Sequence, residues 1–348
     1  MSTMIAVGMS GGVDSSVAAA LLLEDGYDVV GVTMRLGLAE AAGRACCGEQ
    51  DALDARRVCD ALDIRHVVLD MSEEFASAVL EPYGTALAAG TTPNPCVWCN
   101  EHVKFGALVD GVRRLGIELL ATGHYVRIAD GETGPLLSRG RDAEKDQSYF
   151  LYRVRQEMLR RAVFPLGNLE KHEVRGIAQS LGLAVASRQD SQDLCFSAER
   201  EAILRSSHPQ LFMPGPITTA DGAVLGMHRG LAYYTVGQRR GLGIGGIAPH
   251  RVVALEPGTN TVVIEPSTAT VIRSVRLGDP VWHLSEAGAV VQAQTRYRTA
   301  TIPSRAVYGR GEITVEFDRD SAPVAPGQSV VLYRDDAVVG GGIVVRGR

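Results

Sequence analysis

Residues 4–16 read MIAVGMSGGVDSS, where an apolar run passes directly into a loop of glycine and serine. The run MIAVG, residues 4–8, predicts a buried strand, and a helical pattern follows from Asp14 to Asp25. Backbone N–H groups in such a loop, together with the positive end of the helix dipole, form a site for anions. The sequence therefore predicts a phosphate-binding loop between a strand and a helix. Its residues are Gly8, Met9, Ser10, Gly11, Gly12, Val13, Asp14 and Ser15.

This loop differs from the two commonest phosphate-binding motifs. It lacks the lysine that precedes Ser or Thr in a Walker A loop, and it does not read G-x-G-x-x-G. GTPases, P-loop kinases and dinucleotide-dependent dehydrogenases are therefore disfavoured. The alternative is an ordinary Ser/Gly turn in which Asp14 caps the helix. The full string SGGVDSS, placed directly after a strand, favours a nucleotide site.

Outward from the loop, strand-like runs alternate with helical patterns as far as about Ser197, including a predicted helix from Val103 to Leu115. This alternation is typical of a parallel sheet covered by helices. After about Arg205 the chain changes to short β-like runs separated by turn residues, with a glycine-rich stretch before them. We predict an α/β protein with a parallel-sheet domain at 1–205, a small central domain at 206–270 and a β-barrel-like domain at 271–348.

Length and composition set limits on the classes of protein. The chain has 348 residues, 45% of them hydrophobic, and a net charge of −5, so nucleic-acid binding would depend on a local basic patch. It has no run of 18 apolar residues and no signal-peptide pattern, which predicts a cytoplasmic protein without membrane spans. Six cysteines are too few for a disulfide scaffold, so those in a C-x-x-C motif point to metal binding or catalysis.

SGGVDSS resembles the pyrophosphate loop of the N-type ATP pyrophosphatases, which attack the α-phosphate of ATP and release pyrophosphate. Further strings occur in order along the chain: TPNPCVWCN at 92–100, KF at 104–105, ATGHY at 121–125, KDQSYF at 145–150, SQDLCF at 191–196, YTVGQRRGLG at 234–243 and GGG at 340–342. Together they resemble the tRNA-specific 2-thiouridylases of bacteria and mitochondria over essentially the whole chain.

The resemblance implies an activity and its partners. Members of this family adenylate the C2 oxygen of a wobble uridine in tRNA and then replace that oxygen with sulfur. ATP with Mg²⁺ would be the cofactors, and Met34 and Gly123 would join the loop in binding ATP. The partners would be tRNAs for Lys, Glu and Gln, and a sulfur donor such as a cysteine desulfurase or a relay protein.

The resemblance also implies tRNA-contacting residues. Asn94, Pro95 and Cys96 would line the pocket for a target base taken out of its stack. His124 would contact tRNA, although a hydrogen-bonded surface histidine is an equally good interpretation. The other implied contacts are Lys145, Asp146, Gln147, Arg296, Tyr297 and Gln328.

Two cysteines are the minimum for sulfur transfer through a persulfide, because a second thiol releases the outer sulfur by forming a disulfide. By resemblance, Cys195 carries the persulfide, and Cys99 either attacks the activated base or resolves the persulfide through a transient disulfide with Cys195. An ordinary buried thiol is the alternative for Cys195, and the preceding Ser191-Gln192-Asp193 favours function.

Cys96 departs from the family pattern, in which many members carry Asp at this position. Cys96, Cys99 and Cys195 could hold a 4Fe–4S cluster with one open iron, as in related C-x-x-C thiolases. A structural zinc would need a fourth ligand from Cys46, Cys47 or a histidine. The persulfide relay, the cluster and the zinc site all stay open at this point. Cys59 lies in a predicted helix and is expected in the core.

Two further function classes compete with tRNA thiolation. Another synthetase with the same loop, such as an amidotransferase-type enzyme, would leave Cys99 and Cys195 unexplained. A non-catalytic, RNA-binding iron–sulfur protein would explain the cysteines but not SGGVDSS. Pyrophosphate release that depends on added tRNA distinguishes these three classes.

Overall fold

The computed structural model describes residues 2–38, 48–188, 194–244, 249–266 and 271–345. The strands in these ranges are β1 Met4–Gly8, β2 Asp28–Arg35, β3 Arg65–Asp70, β4 Leu119–Ala121, β5 Val126–Gly131, β6 Gly134–Arg139, β7 Ala162–Val163, β8 Gly215–Thr219, β9 Val224–His228, β10 His250–Glu256, β11 Thr261–Pro266, β12 Ile272–Trp282, β13 Gly288–Gln294, β14 Ile302–Gly309, β15 Glu312–Ser321, β16 Ser329–Arg334 and β17 Ala337–Val344.

The α-helices of the same ranges lie mostly in the first 207 residues. They are α1 Val13–Glu24, α2 Gly48–Ala61, α3 Ser72–Phe75, α4 Glu81–Ala88, α5 Pro95–Trp98, α6 Leu108–Arg114, α7 Ser148–Leu151, α8 Gln156–Leu159, α9 Lys171–Ser180 and α10 Arg200–Ser207. Two π-helical segments, Ala76–Leu80 and Cys99–Ala107, join consecutive helices.

The helix predicted from Val103 to Leu115 begins earlier, at Pro95, and passes through the second π-helical segment. Proline suits the first helical position because its fixed φ matches the helix and its missing N–H is not needed there. Phe105 inside the segment has non-helical angles, φ −103° and ψ 18°. The wider π turn breaks the regular apolar spacing, which is why the pattern before Val103 did not predict a helix.

The predicted parallel sheet is confirmed. Its strand order is β3-β2-β1-β4-β7, and all the pairings are parallel, with Gly8 opposite Val32 and Val7 opposite Ala121. The direction of strand order reverses between β1 and β4, and in sheets of this kind ligands bind at the carboxyl ends of the strands beside that point. The predicted phosphate loop follows β1, and residues 122–124 follow β4, so the fold brings both to this edge.

The core of this sheet consists of aliphatic side chains from β1, β2 and α1, together with the inner faces of α2 and α9. Ile5, Val7 and Val17 are completely buried in it. Cys59 on α2 is also completely buried, which confirms the expected core position. Burial of this apolar surface fixes the start of α1 against the sheet and therefore fixes the loop between them.

The strands after residue 214 form two further sheets, as expected for a small central domain and a C-terminal β-barrel. One has the order β10-β11-β8-β9. The other has the order β12-β15-β14-β13-β16-β17-β6-β5, so β6 and β5 join it, and the pairing of β12 with β17 closes the first six strands into a barrel. Closure removes exposed sheet edges.

Spatial clustering divides the chain into two units. The first contains Met1–Val79, Cys96–Arg200 and Asp336–Val338, and the second contains Leu80–Pro95, Glu201–Asp335 and Val339–Arg348. The boundaries 1–205, 206–270 and 271–348 stay a prediction. Among the described residues, the helices are all too short or too polar to cross a lipid bilayer.

Candidate functional site

The predicted phosphate loop leaves β1 at Gly8 and reaches α1 at Val13. Met9 is anchored on both sides, because its N–H donates to the Val32 carbonyl at 2.8 Å and its carbonyl accepts from the Thr33 hydroxyl at 2.9 Å. The Ser10 N–H donates to the Ser15 hydroxyl at 3.2 Å. The loop is thus tied to β2 and to the first turn of α1.

Gly11 and Gly12 have different structural roles in the loop. Gly11 has φ +68°, and a Cβ there would come within 2.6 Å of the Asp51 carbonyl oxygen. Gly12 is the residue that caps α1, without any side-chain cap. Asp14 lies inside the first turn, so the alternative interpretation of Asp14 as the helix cap is wrong.

Asp14 has two partners that the sequence did not reveal. Lys171, at the start of α9, donates from Nζ to both carboxylate oxygens at 2.7 and 2.8 Å. The Tyr125 hydroxyl donates to Asp14 Oδ1 at 2.7 Å. The Lys171 side chain is 11% exposed and that of Asp14 is 33% exposed, so the cation is largely shielded from water and the carboxylate only partly.

Arg188 holds the other side of the loop and was also missed. Its Nη1 donates to the Gly11 carbonyl at 2.7 Å, and its Nη2 donates to Asp51 Oδ1 at 2.6 Å. A second carboxylate, Asp54, accepts from Nη1 at 3.1 Å. The guanidinium therefore connects the loop to α2. Neither Lys171 nor Arg188 belongs to a recognisable local motif, and only the tertiary structure brings them to the loop.

Gly123 and Met34 lie where the ATP-binding expectation needs them, at the carboxyl ends of β4 and β2. A Cβ on Gly123 would come within 2.8 Å of the Asp14 carbonyl carbon and the Ser15 nitrogen. The loop itself therefore requires glycine here, in addition to the approach of a nucleotide that the sequence suggested. Met34 is half-buried beside Leu69 of β3.

His124 is buried, and it is therefore not the surface histidine of the alternative interpretation. Its Nδ1 is 2.7 Å from the Thr122 hydroxyl, and its Nε2 is 3.4 Å from Lys104 Nζ. Loss of solvation, followed by the Lys104 charge, holds the pKa of His124 well below its usual range. The ring is thus neutral at physiological pH and packs near Phe105 and Phe164.

Electrostatic effects on pKa connect the three thiols named from the sequence. Burial raises the pKa of the Cys99 thiol, and the Lys104 charge opposes this. The pKa of Cys96 is raised chiefly by burial and then by Cys99, again against Lys104. Cys195 is exposed when the whole residue is considered, yet its sulfur has lost much of its solvation. Loss of solvation, then the charges of Cys99 and Cys96, raises its pKa to about 12.

These shifts describe a cluster of protonated thiols with one neighbouring cation. The thiolate is the nucleophilic form of cysteine. Lys104 is the cation that favours this form at all three sulfurs. Lys104 also approaches His124, which follows Gly123 beside the phosphate loop, so the same cation acts on the thiols and lies near the residues that support the loop.

The thiol cluster does not form an assembled metal site. Within the described ranges, no three His, Cys, Asp or Glu side chains are grouped to hold a metal ion. Cys46 and Cys47, named as zinc ligands in one interpretation, lie outside the described residues, as do Ser191, Gln192 and Asp193.

The Lys145-Asp146-Gln147 segment is less exposed than we would expect of a loop that forms hydrogen bonds with RNA bases. Asp146 is buried, and its carboxylate accepts from Arg139 Nη1 at 3.1 Å, from the Gly140 N–H at 3.1 Å and from the Ser148 hydroxyl at 2.8 Å. The Gln147 side-chain oxygen accepts from the Tyr125 N–H at 3.0 Å. These contacts hold the segment beside Tyr125, whose hydroxyl supports Asp14.

The remaining predicted tRNA contacts lie in the second unit. Asn94 and Pro95 end its Leu80–Pro95 segment, and Gln328 Nε2 donates to the Thr92 carbonyl at 2.8 Å, close to that end. The structure therefore brings Gln328 to the segment that carries Asn94. Arg296 donates from Nη2 to the Pro323 carbonyl at 3.0 Å, and Tyr297 follows it, both half-buried.

Three protein-family models match successive parts of the chain. A tRNA methyl transferase HUP domain matches residues 3–199, a tRNA methyl transferase PRC-barrel domain matches 203–266, and an aminomethyltransferase beta-barrel domain matches 272–344. The first match alone covers more than half of the 348 residues. Its position agrees with the parallel sheet, and that of the third agrees with the closed barrel.

Individual relatives are more specific. A tRNA-specific 2-thiouridylase from Rhodospirillum centenum is 44% identical over 99% of this chain and 92% of its own length. The corresponding protein of Heliobacterium modesticaldum is 44% identical over 99% and 93%. Among solved structures, a 4-thiouridine synthetase–RNA complex with bound ATP has a TM-score of 0.37 at 17% identity, over 57% of this chain and 46% of that one, too low to carry an argument. The identity to the two relatives extends over nearly the full length, and the chain therefore belongs to the tRNA-specific 2-thiouridylase family.

Proposed function

We propose that this protein is an ATP-dependent enzyme that replaces the C2 oxygen of a wobble uridine in tRNA with sulfur. The observation that carries the proposal is that Lys104 connects the surroundings of the phosphate loop with those of the thiols. Gly123 packs on Asp14 and Ser15, and His124 follows it. Lys104 Nζ lies 3.4 Å from His124 Nε2, and the Lys104 charge lowers the pKa of Cys99. A base activated at the loop would then be within reach of a sulfur nucleophile.

In the first half-reaction, the loop would bind the β- and γ-phosphates of ATP. The C2 oxygen of uridine attacks the α-phosphorus, pyrophosphate leaves, and the base becomes an O2-adenylated electrophile. Backbone N–H groups of the loop and the start of α1 would stabilise the charge on the departing pyrophosphate. Gly123 and Met34 would lie against the adenosine.

Asp14 fits the role of a magnesium ligand. Mg²⁺ is commonly held by one or two carboxylates together with substrate phosphates, and Asp14 supplies a carboxylate at the loop. When bound, the ion would neutralise charge on the phosphates. Lys171 and Tyr125 would hold the carboxylate of Asp14 in position, because both donate hydrogen bonds to it.

In the second half-reaction, Cys195 would carry a persulfide supplied by a donor protein. Its outer sulfur bonds to C2, and AMP leaves with the former C2 oxygen. The Cys99 thiolate attacks the inner sulfur of Cys195, the persulfide S–S bond breaks, and the electron pair goes to the sulfur on C2. The Cys99–Cys195 disulfide that results must be reduced by an external thiol before the next turnover.

The iron–sulfur and zinc alternatives fit the residues less well. Neither ion is held by an assembled ligand set within the described part of the chain, and no step here depends on either. A relay needs only two thiols that can meet, and the effect of the Cys99 charge on the pKa of Cys195 supports their proximity.

The proposed partners are tRNAs for Lys, Glu and Gln, and a cysteine desulfurase or relay protein as sulfur donor, in the cytoplasm. Asn94, Pro95 and Cys96 would surround the flipped uridine. The tRNA body would be held by the 145–147 segment, Arg296, Tyr297 and Gln328, with His124 near the base.

Mass spectrometry of tRNA tests the proposal. Cells lacking this protein should have unmodified uridine at the wobble position of the three tRNAs, and a plasmid copy should restore the sulfur. Purified protein should release pyrophosphate from ATP only when one of these tRNAs is added. Pyrophosphate release without tRNA would favour another synthetase, and no release under any condition would favour a non-catalytic RNA-binding protein.

A further inference from the structure

The second unit contains a cavity of about 410 Å³ whose lining includes four arginines, Arg239, Arg240, Arg251 and Arg296. They come from distant parts of the sequence. Within the part of the chain that the structure describes, no carboxylate lines the cavity, although the whole chain has a net charge of −5. This arginine cavity is therefore a local reversal of the overall charge, which is the pattern expected of a site for an anion.

The turn that carries Arg239 and Arg240 is held by a network centred on Gln238. The Gln238 side-chain oxygen accepts from the Thr235 N–H at 3.0 Å, and its Nε2 donates to the Arg240 carbonyl at 2.9 Å. The backbone pairs with Val252 of β10 in both directions, at 2.7 and 2.9 Å. The two exposed arginines thus extend from an ordered support and lose less conformational freedom when they bind.

Arg296 fits closely against the same turn. Gly237 has φ +90°, and a Cβ there would lie 2.9 Å from Arg296 Nη2. That same nitrogen donates to the Pro323 carbonyl at 3.0 Å, which fixes the direction of the guanidinium. A residue larger than glycine would therefore push Arg296 out of the cavity wall.

Arg251 on β10 also lines the cavity. Only 6% of its surface is exposed, and Glu265 on β11 is opposite it in the strand register. The guanidinium groups of Arg239, Arg240 and Arg296 share the same space. These charges repel each other, and a bound anion would relieve that repulsion.

We propose that the arginine cavity binds phosphate groups of the tRNA backbone, at contacts additional to the target-base pocket. The proposal rests on the proposed function, since it takes tRNA as the substrate. Arginine forms paired hydrogen bonds with phosphate oxygens. The described residues of the lining include no aromatic ring on which a base could stack, so the site would position the RNA without reading its sequence.

The test uses the double variant Arg239→Gln/Arg240→Gln, because both side chains are exposed and their loss should leave the fold intact. The matched control is Arg305→Gln/Arg310→Gln, which removes the same charge from exposed barrel positions outside the cavity lining. The dissociation constant for a tRNA transcript is measured at several salt concentrations, with thermal unfolding to confirm that both variants fold.

We expect the cavity variant to bind tRNA on the order of tenfold more weakly at low salt, with the salt slope reduced by about 1.4–1.8, the value for two lost phosphate contacts. The control should keep the slope of the unaltered protein to within about 0.5. Equal slopes in the two double variants would overturn the proposal.

Inorganic phosphate distinguishes a site for RNA from a site for a free anion. If phosphate raises the unfolding temperature of the unaltered protein but not of the cavity variant, while tRNA binding is the same in both, the RNA proposal is overturned. The thiolation assay separates the two proposals. If the unaltered protein thiolates tRNA and the cavity variant binds it normally, the cavity proposal fails alone. If the unaltered protein neither binds nor thiolates tRNA, both fail.

Discussion

The phosphate loop and the thiol cluster belong to the same unit but are prepared in opposite ways. At the loop, the carboxylate of Asp14 already has Lys171 and Tyr125 as partners, and Arg188 holds the Gly11 carbonyl. At the cluster, burial raises the pKa of each thiol, and the Lys104 charge opposes that rise at all three. The proposed nucleotide site is therefore organised before any substrate binds, whereas the thiols of the proposed sulfur-transfer site are kept in their unreactive, protonated form.

The largest expected effect is at the cysteines. Cys99→Ser and Cys195→Ser should each lower thiolation by more than about 10³-fold, because a hydroxyl carries no persulfide sulfur and forms no disulfide. Release of pyrophosphate with tRNA and ATP should continue in both variants. Both products are measured in one reaction, as thiolated nucleoside by mass spectrometry and as pyrophosphate by an enzyme-coupled assay.

Cys59→Ala is the control for loss of a thiol. Cys59 is completely buried against β2, so its replacement should lower the unfolding temperature and leave thiolation intact below that temperature. If Cys195→Ser still thiolates tRNA at a rate near that of the unaltered protein, the persulfide carrier is another residue.

The next effect is at the loop. Asp14→Ala should lower ATP-dependent pyrophosphate release by about 10²–10³-fold, the usual cost of losing a preorganised electrostatic group, while tRNA affinity changes only a few-fold. Asp25→Ala, at the exposed end of the same helix, is the matched control. Pyrophosphate release that stays near normal in Asp14→Ala would show that the nucleotide binds elsewhere.

Lys171 offers a test of whether the position of Asp14 in the loop depends on its ion pair. Lys171→Met should lower pyrophosphate release, because Asp14 loses the cation that holds both of its oxygens. In the double variant with Asp14→Ala, the second change should add little, since residues that act as a unit are not additive. Fully additive losses would mean that the two residues act separately.

The comparison also separates what a sequence can predict from what it cannot. The loop lies on one continuous segment, so its glycines, its serines and its place after a strand were all visible in residues 4–16. Lys171 and Arg188 approach from segments more than 150 residues away along the chain. Without a local pattern, only the packing of α9 and of the segment after it brings these cations to the loop.

The role of the thiols stays a prediction, and their environment was not predicted from the sequence. C-x-x-C at 96–99 is visible in the sequence, whereas burial of Cys99 and the approach of Lys104 depend on the π-helical turn that begins at Cys99. Apolar periodicity assumes a regular α-helix, so it could not place these side chains. The same limit applies to His124, whose burial between two phenylalanines no local signal indicated.

A smaller effect is expected at Lys104. Lys104→Met removes the charge that lowers the pKa of Cys99, so that pKa rises and the rate of thiolation should increase only at higher pH. A rise of one pKa unit would lower the thiolate fraction near neutral pH by about tenfold. Lys104→Arg keeps the charge and should keep most of the pH profile. The profile is measured with a saturating sulfur source, and identical profiles for Met and Arg would exclude an electrostatic role.

The smallest effect is expected at Cys96, and it tests whether sulfur transfer uses two thiols or three. If Cys96 only replaces the aspartate of many relatives, Cys96→Asp should thiolate tRNA from a persulfide donor within about threefold of the unaltered rate, or about 0.7 kcal/mol in activation free energy, because position 96 then takes no part in the relay. The new carboxylate adds a negative charge beside Cys99 and so raises the pKa of that thiol, which favours a slight loss near neutral pH. Lys104 lies close enough to both positions to offset part of this charge.

The aerobic, iron-free protein should also accumulate a Cys99–Cys195 disulfide after one turnover without reductant, measurable by mass spectrometry of peptides after alkylation. Cys96→Asp should form the same disulfide, because neither of its sulfurs comes from position 96.

A different set of results would show that the three thiols bind an iron–sulfur cluster. If anaerobic reconstitution gives about one cluster per chain with visible charge-transfer absorption, and Cys96→Asp loses both the cluster and sulfide-dependent activity, then three thiolates hold iron. The thiols would in that case have to move closer together than their present arrangement, which within the described residues does not form a metal site.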